Sequence, residues 1–301
     1  MPELPEVQAL AEILDARLTG QRVASCSLTA FPALKTHDPP LEAVVGSRVV
    51  GCTRRGKFLI LDFETGAELS EGDAGELHLV VHLARAGWLK MTDKVPSTPA
   101  RPGRGPGVLR LVTVTDDGEF GWSVELTEAG TRKSLALYVV ADLQDVPGIA
   151  ALGPDALALS DEGWAELLAT SGSTRLKGLL REQHVVAGIG NAYSDEILHA
   201  ARLSPYATAA GLSAEERRRL VTAVRQVLGE ALSNNRGREP SGLKDGKRSG
   251  LAVHGRAGHA CPVCGTTVAE VVLADSSFQY CPTCQTGGRK LADRRMSRLL
   301  K

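Results

Sequence analysis

Arg48-Val49-Val50-Gly51-Cys52 and Phe58-Leu59-Ile60-Leu61-Asp62-Phe63, parted by the polar stretch Thr53–Lys57, set the reading of the fold. Both runs are short and rich in β-branched or aromatic residues, the mark of strands. Similar runs recur at Leu77–Leu83, Val108–Val114 and Ser134–Val140, with Gly and Asp clusters between them. Upstream, Val7, Leu10, Leu14 and Leu18 fall at helical spacing and stop at Gly20, which predicts an amphipathic helix. One helix followed by a β-rich body out to about Val140 predicts a β-sandwich or barrel. Residues 93–107, dominated by Pro, Gly, Arg and Ser, read as an exposed loop.

From Leu152-Gly153-Pro154-Asp155 onward the periodicity becomes helical, with breaks at Gly172, Gly188–Gly190, Ser204-Pro205 and Gly211-Leu212-Ser213. Residues 233–250, rich in Asn, Gly, Arg, Lys, Ser and Pro, are expected to form a mobile connection. The expected class is therefore α+β and multidomain, divided into 1–150, 151–235 and 236–301. A length of 301 residues with 43% hydrophobic and 23% charged content allows each body an ordinary core. No run approaches the roughly 18 apolar residues of a membrane span, and the first thirty residues lack the pattern of a signal peptide. A cytoplasmic protein without a membrane partner is expected, nucleoid-associated if bacterial.

Net charge is zero, but residues 1–150 hold 15 Lys+Arg and 20 Asp+Glu (−5), leaving 20 and 15 (+5) for residues 151–301. The bias peaks at the end, where Arg289, Lys290, Arg294, Arg295, Arg298 and Lys301 face Asp293 alone. By composition this run reads equally as a solvated segment or a phosphate-binding one. Cys261-Pro262-Val263-Cys264 and Cys281-Pro282-Thr283-Cys284, 16 residues apart, fit two knuckles closing on one structural Zn²⁺. Cys26 and Cys52 fall in strand-like runs and read as core.

The chain begins Met1-Pro2-Glu3-Leu4-Pro5-Glu6. Removal of Met1 before the small Pro2 is expected, leaving a secondary amine. Such an amine is a nucleophile near neutral pH, because α-amino groups titrate near 8. Glu3 and Glu6 stand close enough in sequence to serve as proton donor and supporting carboxylate. Lys57 opens a strand, where a lone lysine is commonly a surface residue. The stretch Ala187-Gly188-Ile189-Gly190-Asn191-Ala192-Tyr193 reads as a tight turn before a helix whose N–H groups suit a phosphate.

Together these motifs resemble the formamidopyrimidine-DNA glycosylase and endonuclease VIII family. The resemblance runs through Pro2–Val7, Arg54–Lys57, His82-Leu83, Leu152–Pro154, Ala187–Tyr193 with Asp195–Leu198, and His254-Gly255-Arg256 leading to both cysteine pairs. It implies a β-sandwich catalytic domain, a helix–two-turn–helix domain and a zinc finger acting on damaged double-stranded DNA. Carried over by motif, the catalytic residues are Pro2 as the Schiff-base nucleophile, Glu3 as the proton donor, Glu6 as a supporting carboxylate and Lys57 as a phosphate ligand that assists strand cleavage. Gly190 and Asn191 hold a phosphate near the lesion, and Lys177 faces the everted nucleotide, since a protein amine cannot reach C1′ within the stack. The implied protein is a monomer that removes oxidised or ring-opened bases and cleaves abasic sites, with single-stranded or bubble DNA as further substrates left open.

The sequence departs from the family at four places. His82-Leu83-Ala84-Arg85-Ala86-Gly87 has Arg85 where many relatives carry a gap-filling Met, so Arg85 is the expected wedge. Asp142–Gly148, taken as the second gap-filling loop, lacks an Arg-Phe pair. Ser276 stands where the finger of relatives carries an Arg, which predicts that β-elimination dominates over β,δ-elimination unless Arg289 or another of the basic residues after the finger takes that role. Residues 233–250 lack a recognisable form of the loop that caps 8-oxoguanine in some relatives, so the preferred lesion is not named. Two rival readings remain beside the enzyme: a damage-binding protein with weak turnover, and a zinc-ribbon module of unrelated chemistry.

Overall fold

The computed structural model describes residues 1–65, 75–98, 100–103, 105–273 and 277–292. The chain divides into two compact units, Met1–Ala151 with Asn235–Leu243, and Leu152–Asn234 with the chain from Lys244 onward.

The N-terminal unit opens with helix α1 (Leu4–Leu18) and continues through eight strands. These are β1 (Arg22–Leu28), β2 (Arg48–Arg55), β3 (Phe58–Glu64), β4 (Glu76–His82), β5 (Gly87–Thr92), β6 (Gly107–Val114), β7 (Phe120–Glu128) and β8 (Ala136–Val140). All pairings are antiparallel, in the order β5-β7-β6-β1-β2-β3-β4-β8. The β1–β2 pair shares only the Arg22↔Arg48 register, so the sheet is two four-stranded halves joined by one bridge. One core serves both halves: Leu89, Leu111, Val124 and Leu126 from one join Leu59, Leu61, Phe63, Leu79 and Val139 from the other, with Leu10, Leu14 and Leu18 of α1. Each fully buried side chain of this kind contributes roughly 1.5–3 kcal/mol.

Alternation along β3 explains its unbroken apolar sequence. Leu59, Leu61 and Phe63 face the main core, while Ile60 points to the opposite face and joins Val80, Val140, Val146 and Ile149. That second cover is supplied by a 3₁₀ turn (Leu143–Asp145) and helix α2 (Pro147–Ala150). Asp142–Gly148, taken as the second gap-filling loop, is anchored on that cluster by the buried Val146 while Asp142, Gln144, Asp145 and Pro147 are exposed, and Asp142 Oδ1 caps the turn by accepting from the Gln144 amide at 2.8 Å.

The second unit holds α3 (Asp161–Thr170), α4 (Leu176–Arg181), α5 (Asn191–Ala200), most of α6 (Ala214–Asn235), a hairpin of β9 (Ala269–Val272) and β10 (Ser277–Tyr280), and α8 (Pro282–Thr286). The breaks between helices fall where Gly and Pro clusters predict them. Ser160 Oγ caps α3, and Ser213 with Glu216 forms a reciprocal capping box on α6.

Residues 233–250 differ from expectation. They complete α6 and form a further helix, α7 (Pro240–Gly250), which starts in the first unit and ends in the second. Its start is fastened to the N-terminal unit, where Leu243 is fully buried in the core, Trp88 Nε1 donates to the Pro240 carbonyl at 2.9 Å, and Arg17 pairs with Glu239. Pro240 suits a first helical turn because its missing N–H is unneeded there.

Candidate active site and nucleic-acid interface

The helix α1 begins almost at the chain end because Glu3 and Glu6 form a capping box, with the Glu3 amide donating to Glu6 Oε2 at 2.9 Å, and Pro5 fixes the first turn. Pro2 is buried, and Glu3 and Glu6 are only 2% and 1% exposed. The positive end of the helix dipole favours carboxylates there. Met1, by contrast, is 49% exposed.

Two bonds align α1 with β2: the Cys52 amide donates to Asp15 Oδ1 at 2.9 Å, and Arg54 Nε donates to Gln8 Oε1 at 2.8 Å. Moving toward the helix start thus means moving toward the end of β2. From Gln8 the helix runs back about 6 Å to Leu4, just after Pro2 and Glu3, and β2 ends one residue past Arg54, at the turn that carries Lys57. Pro2, Glu3 and Lys57 consequently lie toward one end of the sandwich. Lys57, 6% exposed, is the second residue of the two-residue turn between Arg55 and Phe58, and Gly56 at φ +54° supplies the left-handed conformation such a turn needs at its first position. On the next strand His82 pairs with Phe58, ring centroids 4.8 Å apart. Burial first, then the Lys57 charge, pushes the His82 pKa down, which keeps its imidazole neutral at pH 7.

Arg85 is exposed on the turn after β4. This turn is tight: Ala84 adopts φ +52°, and a Cβ on Gly87 would stand 2.2 Å from the Leu83 carbonyl oxygen. Left-handed backbone costs a non-glycine residue about 1–2 kcal/mol, of which glycine's extra unfolded-state freedom returns about 0.4–1 kcal/mol. Ala84→Gly is expected to stabilise the protein by about 0.5–1 kcal/mol, seen as a higher urea midpoint at unchanged slope; a lower midpoint would refute strain at this turn. Sequence reasoning missed the neighbouring loop, residues 129–135, which carries exposed Arg132 and Lys133. The Ala129 amide reaches the Ala86 carbonyl at 3.4 Å, and the buried Glu128 carboxylate accepts from the Ser134 and Leu135 amides at 2.7 and 3.0 Å. The signal available was a Thr-Arg-Lys triplet beside Gly130, in a polar gap between two strand-like runs.

In the second unit Gly190 is the N-cap of α5 and Asn191 its first residue. Gln183 shapes the turn before it, accepting from the Gly188 amide at 3.0 Å and donating to the Ile189 carbonyl at 2.8 Å. Asn191 Nδ2 donates to the Ser277 carbonyl on β10 at 2.9 Å, and Asn191 Oδ1 is buried with no partner among the described residues. Lys177, expected to face an everted nucleotide, is 5% exposed and directs its ammonium inward. It donates to the Asn191 carbonyl and Ser194 Oγ at 2.8 Å each and to Asp195 Oδ1 at 2.6 Å. The fully buried Asp195 also accepts from the Gln279 amide at 3.2 Å and lies 2.7 Å from His254 Nδ1. Glu196 takes the amides of Ala252, Val253 and His254 at 2.7–3.0 Å; burial raises its pKa and these bonds oppose the rise.

Asp195 and Glu196 therefore tie the finger to α5, a role no spacing rule reveals. Removing the cation of a buried pair strands its partner at a cost of about 3–5 kcal/mol. Lys177→Met is expected to lower urea stability by about that amount, with Asp195→Leu in the same chain restoring part of it; full additivity of the two losses would show that they do not act as a pair.

The thiols of Cys261, Cys264, Cys281 and Cys284 lie within 4.8 Å of one another, with Cys261–Cys284 at 4.0 Å and Cys264–Cys281 at 3.4 Å. A tetrahedral ion with bonds of about 2.3 Å needs sulfurs roughly 3.8 Å apart, whereas a disulfide needs about 2.05 Å. The four cysteines fit one structural zinc. Hydrogen bonding with Thr266 holds the Cys264 thiol down to about 6, and His199 Nε2 lies 3.3 Å from Cys261 Sγ, the placement of an outer-shell partner. Ser276, Asp293 and the basic residues beyond it lie outside the described residues.

The class of protein is thus defined: a two-unit zinc-finger protein with a buried carboxylate pair at the head of its first helix. The formamidopyrimidine-DNA glycosylase N-terminal domain matches residues 1–131, the H2TH domain of the same proteins residues 152–240, and the zinc finger found in FPG and IleRS residues 258–287. A formamidopyrimidine-DNA glycosylase from Thermus thermophilus is 36% identical over 299 residues, covering 96% of this chain and 100% of that one. An uncharacterized formamidopyrimidine-DNA glycosylase-like protein of Mycobacterium tuberculosis is 59% identical over 152 residues, 50% of this chain and 95% of that protein. Among solved structures, the MutM (Fpg) protein of Thermus thermophilus superposes with a TM-score of 0.76 at 31% identity, covering 96% of this chain and 100% of that one. Lactococcus lactis Fpg, solved with DNA containing N7-benzyl-Fapy-dG, shares the fold with a TM-score of 0.77 at 24% identity, covering 95% and 100%. The chain belongs to the formamidopyrimidine-DNA glycosylase family. Among the described residues no helix is long and apolar enough to cross a membrane.

Proposed function

We propose that the protein is a base-excision repair enzyme, a DNA glycosylase with abasic-site lyase activity, acting as a monomer on damaged double-stranded DNA in the cytoplasm or nucleoid. The observation that carries this reading is the burial of Glu3 and Glu6, directly after the buried Pro2, in the capping box that starts α1. Once Met1 is removed, the Pro2 nitrogen is a secondary amine; until then it is an amide and cannot attack. The amine displaces the damaged base at C1′ while Glu3 supplies the proton that the departing base and opening sugar require. The iminium so formed acidifies the C2′ proton. Its loss expels the 3′-phosphate, and water then releases the sugar from Pro2.

The remaining residues hold DNA. Lys57 and Arg85 serve the phosphate and the gap left by the flipped base, with Arg132 and Lys133 beside them. Gly190 and Asn191 present a helix N-terminus to a second phosphate. Lys177 contributes by holding that turn. With Ser276 in place of a finger arginine, β-elimination products predominate over 3′-phosphate ends. Single-stranded and bubble DNA are secondary substrates. A damage binder without turnover would have no use for two buried carboxylates beside an amine.

Borohydride in the presence of abasic-site duplex tests the reading, because only a Schiff base is reduced to a stable adduct. The mature protein is expected to be trapped, and Pro2→Gly to be trapped poorly. A mature wild type that fails to trap would overturn the proposal.

A further inference from the structure

Arg175 and Lys177 stand two residues apart and are put to different uses. Lys177 turns inward to the Asn191 carbonyl and Asp195, whereas Arg175, the N-cap of α4, is exposed with its guanidinium 4.5 Å from the centroid of the Tyr206 ring. That contact engages the charge and none of the N–H groups. Among the described residues no carboxylate pairs with Arg175 and nothing accepts from its guanidinium. The donors of the fork are all left for a partner.

The seat of this arginine is rigid. The Ala209 amide donates to the Thr174 carbonyl at 3.1 Å, the Leu176 amide to the Ala207 carbonyl at 2.8 Å and the Lys177 amide to the Pro205 carbonyl at 3.3 Å, so the backbone on both sides of Arg175 is clamped to the segment that carries Tyr206. Tyr206 is fixed in turn: its ring meets Phe278 edge-on at 5.7 Å, its amide donates to Ser204 Oγ at 3.2 Å and its hydroxyl donates to the Ala292 carbonyl at 3.0 Å. A free surface arginine gives up rotamer freedom when it binds; one already laid against a fixed ring has given up part of it in advance. Phe278 directly follows Ser277, whose carbonyl accepts from Asn191 Nδ2 at 2.9 Å. Arg175 and the Asn191 turn are therefore mounted on one scaffold of α4, α5 and β10.

A guanidinium fork matches a carboxylate or a phosphate. The surroundings favour an anion of higher charge: Arg202, four residues before Tyr206, and Lys290, two residues before Ala292, are also exposed and also lack a carboxylate partner among the described residues. We propose that Arg175, preset on Tyr206, is a phosphate fork that grips the DNA backbone at a second point, away from the phosphate at the Asn191 turn. The proposal rests on the reading of the partner as DNA. The grip is blind to sequence, because a phosphate contact positions the duplex without reading a base. No more than about 7 Å of backbone separates Arg175 from Lys177, so the two grips fall on neighbouring stretches of one duplex.

The test titrates the mature, zinc-loaded full chain onto a duplex with one stable abasic-site analogue, which fixes the register, across a salt series. Arg175→Gln is expected to lower the slope of log affinity against log salt by about 0.9 and to bind about tenfold more weakly at low salt, with zinc content and urea midpoint unchanged. Arg175→Lys, which keeps the charge and not the fork, is expected to keep the slope and bind about threefold more weakly. Tyr206→Leu removes the seat and is expected to cost about two- to fivefold with the slope retained, while Tyr206→Phe, which keeps the ring, stays near wild type. Uncharged methylphosphonates placed singly along the duplex then locate the contact: one position that weakens wild-type binding is expected to become silent in Arg175→Gln. An unchanged slope in Arg175→Gln, or methylphosphonate profiles identical to wild type, would overturn the proposal while wild-type trapping leaves the enzyme reading intact. Equal losses in Tyr206→Phe and Tyr206→Leu would overturn it too, making Tyr206 a clasp for Ala292. A wild type that neither traps nor binds duplex would overturn both readings.

Discussion

Glu3→Gln is expected to slow excision of a ring-opened purine by about 100- to 10,000-fold, the range that a positioned proton donor supplies, while incision at a preformed abasic site falls far less. Glutamine keeps the size of glutamate and an oxygen able to accept the Glu6 amide, so the capping box and the start of α1 survive. What it loses is the transferable proton. Excision needs that proton because the base leaves as a poor anion; an abasic site has no base to expel, so Pro2 can condense with it regardless. Single-turnover rates on the two substrates separate the roles. Equal losses on both would make Glu3 a structural cap and not the proton donor.

Removal of zinc has the second large effect. Around the ligands Cys261 and Cys281 the finger's core is little more than Val253 and Val268, with a second small cluster of Val271, Phe278 and Tyr280 on the hairpin, too few apolar groups to hold β9, β10 and α8 together without the metal. Structural zinc sites in finger peptides supply about 10–16 kcal/mol at pH 7, so stoichiometric chelation is expected to unfold the finger. The consequence reaches α5, because β10 donates the Gln279 amide to Asp195 and offers the Ser277 carbonyl to Asn191. Duplex affinity is expected to collapse with zinc release, followed by a chromophoric chelator alongside anisotropy of labelled DNA. The β-sandwich, whose core among the described residues contains none of the finger, is expected to keep its unfolding transition. Undiminished DNA affinity after full zinc loss would contradict the bracing of α5 by β10.

What the sequence makes legible follows from how it is buried. β3, β4 and β8 stand out as apolar runs because they are covered on both faces, by the main core and by the Val146–Ile149 cluster. β5 and β7 escape notice because one face of each carries charges: Lys90 and Glu125 are cross-strand partners, and Arg110 Nε donates to Glu125 at 2.8 Å. β1, Arg-Val-Ala-Ser-Cys-Ser-Leu, has a single fully buried side chain, Val23, and too little apolar contrast to read. Helix α7 hides in a Gly- and Ser-rich stretch because Leu243 alone carries its burial in the main core.

At the site the difference is one of partners. The cysteine spacing names its ligands outright, and the Pro-Glu start names a reactive terminus. The inward turn of Lys177 depends instead on Ser194, Asp195 and a carbonyl, 14 to 18 residues away, that only the packing of α4 on α5 brings within reach. Asp195 and Glu196 look like surface acids on a helix. They are buried only because the strap at 252–254 and β10 close over them.

The central claim is that the amine of Pro2 forms the bond to the sugar. The most direct measurement is the attachment point of the borohydride-reduced adduct, found by digesting the trapped protein and sequencing the modified peptide by mass spectrometry. The account predicts one sugar remnant on the nitrogen of a Met1-free N-terminal peptide beginning at Pro2. A remnant on Lys57 or any other lysine, with the Pro2 peptide unmodified, would contradict it.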